Sequence, residues 1–358
     1  MVTEYFNLMK ETAQVVHPLV RMYLDRFKES KGKLYDIISQ IPQAFMKQGS
    51  NFRTYLLRAS YQSLTEKDWK WIAPIGASIE FLLSSMYYAN WIQDEKGGKR
   101  SRDEDKNILT AAFLMRDLKG VALYEMGDRL PLEKLVAVSC LLNESNRIFH
   151  EGQFIDINVN TYQNPNKPLS ESGMNDLFFE RTYKINAAFI ERIAKIGGML
   201  AEGSNEQINA LSEFGKNFGI AHQIMNDIAD FVPAKAGIST TTKIPDDAYT
   251  DIRNGHLTIP VIYTLYHDSD KERVKKIIQI LEKGKEIPPE QIEEVTPLLI
   301  QNGAIDYTIS YAREFKKKAK NSIRDFPENK RKLLDWLLIS IDSNKYYTFL
   351  RGIKNDLK

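Results

Sequence analysis

The sequence predicts an all-α protein in which one helical domain spans 1–358. Three observations predict it. Apolar residues recur at spacings of three and four along most of the chain, period-two alternation is sustained nowhere, and Gly- or Pro-bearing breaks punctuate the periodic stretches. Taken in order, the stripe marks helices over 5–27 and 33–46, then 71–92, which runs toward Gly97-Gly98. Segments 107–125 and 131–150 follow, the second ending near Gly152. Beyond the turn-forming Asn164-Pro-Asn-Lys-Pro168, the pattern resumes over 177–200 and stops at Gly203-Ser-Asn205. A helix over 205–231 leads into a Thr/Pro/Asp-rich run, 239–251. Short periodic stretches over 259–266 and 273–282 precede the Gly284 to Pro289 break, and 288–301, 304–326 and 330–342 complete the set. No break has the length or composition of a flexible linker, and no repeat stands out, so one bundle is the economical architecture.

Composition narrows the function. With 49 Lys+Arg against 47 Asp+Glu, the net charge of +2 argues against nucleic acid as a partner, and any anion site must be local. The single cysteine, Cys140, permits no internal disulfide or thiolate metal cluster, and its apolar surroundings predict a small buried core residue. The N-terminus lacks a basic segment followed by an apolar run, and about 18 uncharged apolar residues never occur together, so the expected location is cytoplasmic.

Two segments carry the chemistry. Asn90-Trp-Ile-Gln-Asp94 and Asn226-Asp-Ile-Ala-Asp230 each place oxygen-bearing side chains four residues apart in an apolar helix, hence one turn apart on one face. Carboxylates buried in an apolar wall cost several kcal/mol each unless a cation lies between them, so two such helices suggest walls of a divalent-metal and diphosphate site. After the first segment, Lys99, Arg100 and Arg102 fold back near the acidic helix end beyond Gly97-Gly98. Acid for metal beside base for phosphate suits ionisation of a diphosphate ester, whose leaving group gains charge as its C–O bond breaks.

The order of these motifs resembles that of the trans-isoprenyl diphosphate synthase (polyprenyl synthetase) family. Gly219-Ile-Ala-His-Gln-Ile-Met-Asn-Asp-Ile-Ala-Asp230 is similar to its second aspartate-rich motif, and 251–262 to its Gly-Lys-x-Thr-x-Pro segment, with His256 in the lysine position. Gly152-Gln153-Phe-Ile-Asp156 resembles the Gly-Gln-x-x-Asp element, Lys184 stands at the family's Lys-Thr pair with Ile185 for threonine, and 302–313 is similar to the C-terminal helix pair.

The resemblance implies an isoprenoid synthase bundle around a central apolar cavity, working as a homodimer. It implies an Mg2+-dependent prenyltransferase that ionises an allylic diphosphate and condenses it with isopentenyl diphosphate. Asn90, Asp94, Asn226, Asp227 and Asp230 would hold two or three Mg2+ ions through the substrate diphosphate. Arg53, Lys99, Arg100, Lys184 and His256 would bind diphosphate. Asp94, Lys184, Gln223 and Asp227 would be catalytic, and Leu82, Ser85 and Met86 would form the wall that limits chain length, with Tyr87 and Tyr88 able to intrude.

Departures from the family pattern keep three readings open. Asn90 and Trp91 replace the two adjacent aspartates that open the first motif, leaving one formal charge there, Asp94. Ser50 and Asn51 replace two cations of the isopentenyl diphosphate site, and Leu83 stands in place of a histidine. The chain can be a divergent elongating synthase, with His256, Arg58 or Lys67 replacing lost cations. It can be a class I terpene cyclase-like enzyme acting on one allylic diphosphate, although Ala234 stands where the cyclase motif has glutamate. It can also be a non-catalytic subunit in a heteromer with an active synthase. His150 reads as a helix-end cap, His222 as lying off the acidic face, and Trp69 and Trp71 as core or interface residues. Lys316-Lys-Lys-Ala-Lys320 reads as the wet face of an amphipathic helix, with peripheral membrane contact at most.

Overall fold

The computed structural model describes residues 2–28, 32–48, 52–94, 100–233, 236, 248–342 and 344–356. The helices are α1 (Val2–Asp25), α2 (Gly32–Gln48), α3 (Phe52–Gln62), α4 (Ala73–Gln93), α5 (Arg102–Tyr124), α6 (Leu132–Asn158), α7 (Glu171–Thr182), α8 (Ala188–Leu200) and α9 (Asn205–Ala229). They continue as α10 (Thr250–Arg253), α11 (Ile259–His267), α12 (Lys271–Lys283), α13 (Pro289–Glu293), α14 (Val295–Gln301), α15 (Ala304–Ser322), α16 (Glu328–Asp342) and α17 (Lys345–Asp356). Among the described residues there is no strand, and an isolated antiparallel β-bridge pairs Thr161 with His256. No described helix is long and apolar enough to cross a membrane.

The helices distribute over two compact units. The first comprises Met1–Arg147, Phe189–Gly215 and Ala319–Ile339. Its centre is α4, buried from Ala73 through Met86. Pro74 opens that helix, where its missing N–H costs nothing. Close packing relies on small residues: Gly76 meets Val16 of α1, and Gly197 of α8 lies against Ser60 and the Leu57 carbonyl of α3. Capping is local too, since Ser101 and Glu104 exchange side-chain and backbone hydrogen bonds as a capping box that starts α5 at Arg102, ahead of the expected start at 107.

The second unit comprises Ile148–Ala188, Lys216–Lys318 and Ser340–Lys358. Here Gly152 is not the helix break expected from sequence. Helix α6 runs through it, and a Cβ at that position would lie 2.8 Å from Lys184 Cβ and from Ile185 Cγ2 and N. The glycine permits close approach of two backbones. The approaching segment, Tyr183–Ala187, is a π-turn that separates α7 from α8, so the helix expected over 177–200 is interrupted there. Two other expectations change. His150 lies on the exposed side of α6, away from either end, so it caps no carbonyls. Cys140 is exposed, because the buried stripe of α6 runs through Leu135, Val138 and Leu142 and leaves Cys140 on the opposite side.

Candidate active site

In the first unit the relevant feature is the C-terminal end of α4. Asp94 is its C-cap, just past the last helical residue, and its N–H still donates to the Asn90 carbonyl at 2.9 Å, the four-residue bond that keeps Asn90 and Asp94 on one face as expected. Both are partly buried. A carboxylate at a helix C-terminus opposes the macrodipole, so helix stability does not account for Asp94. Arg100 links α4 to α5: its Nη2 donates to the Trp91 carbonyl at 3.0 Å and its Nε to Asp105 at 2.8 Å. Lys99 lies outside the described residues.

Most of the remaining first-unit candidates are buried. Arg53 is buried on α3, its guanidinium 4.5 Å from the Phe52 ring centroid. Burial lowers its pKa, while Tyr87 and the buried Glu80 act to raise it. Leu82 and Met86 are buried, and Ser85 donates to the Ala112 carbonyl at 2.8 Å, which ties that position to α5. Tyr88 is tied to α2, donating to the Ile37 carbonyl at 2.8 Å and accepting from the Ile41 N–H at 3.1 Å. Arg58, a proposed substitute cation, is committed to Glu11, Thr12, Gln62 and the Leu8 carbonyl, and Lys67 pairs with Glu202. Trp69 is buried, and Trp71 donates to Tyr61 at 2.8 Å, in line with a core role.

In the second unit the geometry departs from expectation. Asn226 and Asp230 do not share a face. Helix α9 ends at Ala229 and the chain tightens, with the Asp230 N–H reaching the Asp227 carbonyl at 3.3 Å, so the four-residue register is lost. Asn226 is exposed, with its amide nitrogen 3.3 Å from His222 Nδ1. Asp230 turns inward and accepts from the N–H groups of Thr250 at 3.1 Å and Asp251 at 3.0 Å, capping α10. Asp227 is 2% exposed, and both of its oxygens accept from Arg181 Nη1 at 3.2 Å. Gln223 Nε2 adds a third bond to Asp227 at 2.9 Å, which positions this carboxylate.

Arg181 was not singled out from sequence. Its fork is divided between two carboxylates, with Nε at 2.7 Å and Nη2 at 3.2 Å from Asp156 and Nη1 on Asp227. Burial alone would lower its pKa, but Asp156, Asp227 and Asp251 hold it well above its ordinary value. The available signal was Asp156 in the Gly-Gln-x-x-Asp element: an aspartate on a buried helix face demands a cation. His256 is buried beside the same group, its Nδ1 3.6 Å from Asp156 and 3.5 Å from Asp251. Burial disfavours its charged form, but Asp156 and Asp251 outweigh this and raise its pKa to about 9. The His256 charge is therefore engaged within the protein. Lys184 is partly exposed and pairs with Glu180 at 2.8 Å and Glu151 at 3.7 Å.

Among the described residues no group of three or more His, Cys, Asp or Glu could hold a metal ion. The oxygen donors suit Mg2+ unevenly. Mg2+ keeps several waters and uses one or two carboxylates plus substrate phosphates, which the Asn90 carbonyl and Asp94 carboxylate can satisfy. Asp227 does not fit, because it is buried and already neutralises the Arg181 guanidinium, and Asp230 is anchored to the α10 amides.

The fold is that of helical prenyl synthases. Geranylgeranyl pyrophosphate synthetase from Pyrococcus horikoshii superposes with a TM-score of 0.77 at 23% identity, covering 96% of this chain and 99% of that one. A polyprenyl synthase from Caulobacter crescentus, complexed with calcium and isoprenyl diphosphate, gives 0.75 at 17% identity over 95% and 98%. In sequence, the chain is 25% identical over 328 residues to geranylgeranyl diphosphate synthase of Sulfolobus acidocaldarius, covering 89% of this chain and 92% of the relative. The polyprenyl synthetase family model matches residues 35–296. The chain belongs to the polyprenyl synthetase family, a family of prenyl-transferring enzymes.

Proposed function

We propose that the protein is a polyprenyl diphosphate synthase that ionises an allylic diphosphate and joins the resulting cation to isopentenyl diphosphate. The observation that carries this reading is α4: a helix buried through Met86 whose last turn presents Asn90 and Asp94. An allylic cation survives only where water is excluded, and a diphosphate leaves only where its growing charge is met. An apolar helix with an oxygen-donor tip supplies both conditions. Asn90 and Asp94 would hold Mg2+ through the substrate diphosphate, and the bound ion supplies the positive charge that stabilises the leaving group. Arg100 ties the Trp91 carbonyl, in the last turn of α4, to Asp105 at the start of α5. After the isopentenyl double bond attacks, a proton leaves and the departing diphosphate accepts it.

A second reading, a non-catalytic subunit of a synthase heteromer, is favoured by one observation: the carboxylates of the second motif are engaged by protein partners. One experiment separates the two. Purified protein with Mg2+ is given allylic diphosphates of ten, fifteen and twenty carbons, each with and without isopentenyl diphosphate. Longer linear diphosphates formed only with both substrates support elongation. Hydrocarbon from the allylic substrate alone points to cyclase-like chemistry, and absence of turnover with tight association to an active synthase points to the subunit role.

A further inference from the structure

We infer that the second acidic segment of this protein is not a divalent-metal site but a closed charge cluster, in which the Arg181 guanidinium sits between Asp156 and Asp227 where a metal would otherwise be expected. The inference goes beyond the proposed reaction and does not depend on it, since it concerns where divalent ions do not bind.

Three observations carry it. Asp227 already neutralises a buried cation and is held from both sides, because one of its oxygens accepts from Arg181 and Gln223 and the other from Arg181. Arg181 is equally committed, with Asp156 taking Nε and Nη2. The side chains of Arg181 and Asp227 are 3% and 2% exposed, which leaves no room for an ion that must keep several waters. A divalent ion on Asp227 would have to displace the guanidinium while lying close to it and to His256, which Asp156 links to the same cluster at 3.6 Å. Like charges so near one another in a weakly polar interior repel strongly. Asp230 has a separate structural task, since its two oxygens accept from the amides of Thr250 and Asp251 at the start of α10.

The test has two readouts that do not involve turnover. The first is urea unfolding in EDTA. Arg181→Met leaves Asp156 and Asp227 buried without their shared cation, so the folding equilibrium constant should drop roughly 100-fold or more. Neutralising the acids as well, in Arg181→Met/Asp156→Asn/Asp227→Asn, should recover at least about tenfold of that loss, which a variant with a merely damaged core would not. The second is Mn2+ binding followed by electron paramagnetic resonance with inorganic pyrophosphate present. Asp227→Asn should bind Mn2+ within about twofold of the parent. Metal-free Arg181→Met as stable as the parent, no recovery in the triple variant, or a tenfold loss of Mn2+ affinity in Asp227→Asn would each overturn the inference. A parent that takes up no Mn2+ counts against the proposed function instead, and the unfolding result then decides the inference alone.

Discussion

Buried ionisable groups give the second unit a pH dependence whose sign can be worked out residue by residue. The pKa of His256 is raised from 6.5 to about 9 because Asp156 and Asp251 outweigh its desolvation. A raised folded pKa means that the stabilisation is fully present below about pH 6.5 and is lost as pH rises through about 9. Asp227 is raised from 3.8 to about 6, chiefly by burial and against the pull of Arg181. Its proton is therefore bound more tightly in the folded state, and that contribution is fully present below about pH 3.8 and fades as pH rises through about 6. Urea unfolding should thus show stability falling in two steps between pH 4 and pH 10. The upper step, up to about 3 kcal/mol, should vanish in His256→Gln while the lower one remains. An upper step that persists in the variant would mean that another group titrates there. None of this was legible when His256 was read only as a lysine substitute, because its partners are brought in from α6 and from the segment before α11.

At the scale of elements, two features depend on backbone geometry that period counting does not report. The π-turn Tyr183–Ala187 packs on Gly152, and an added methyl there would meet backbone as well as side-chain atoms at 2.8 Å. Gly152→Ala should therefore cost about 1–3 kcal/mol, read as a lowered urea midpoint, whereas a change within experimental error would show that the contact is slack. Asp230 holds the start of α10 through two amides, so Asp230→Ala should destabilise by about 1–2 kcal/mol in the absence of any metal. Stability lost only when Mg2+ is present would instead point to a ligand role. Most helices were legible because a packed amphipathic helix writes a 3.6-residue stripe into its sequence. Helix α3 was not, since Arg53 and Arg58 interrupt its apolar run while packing inside it. The split at 183–187 was also hidden, because a π-turn adds one residue without erasing the stripe.

For the whole molecule, the order of motifs along the chain points to the polyprenyl synthetase family, and the family match over residues 35–296 agrees. Its reliability stopped at the side chains. At the end of α4, where the helix stays regular, the four-residue spacing placed Asn90 and Asp94 together as expected. At the end of α9 the helix tightens, and the same spacing sends Asn226 outward and Asp230 inward. Under the proposed function this asymmetry assigns metal and diphosphate to the α4 end, while Asp227 at the α9 end is taken up by its ion pair with Arg181. The most direct measurement is Mn2+ affinity in the presence of inorganic pyrophosphate for the parent and for Asp94→Ala, with far-ultraviolet circular dichroism to check the fold. The account predicts at least a tenfold loss of affinity, on the order of 1.4 kcal/mol, with the helical signal unchanged. Equal affinity in the two proteins would contradict it.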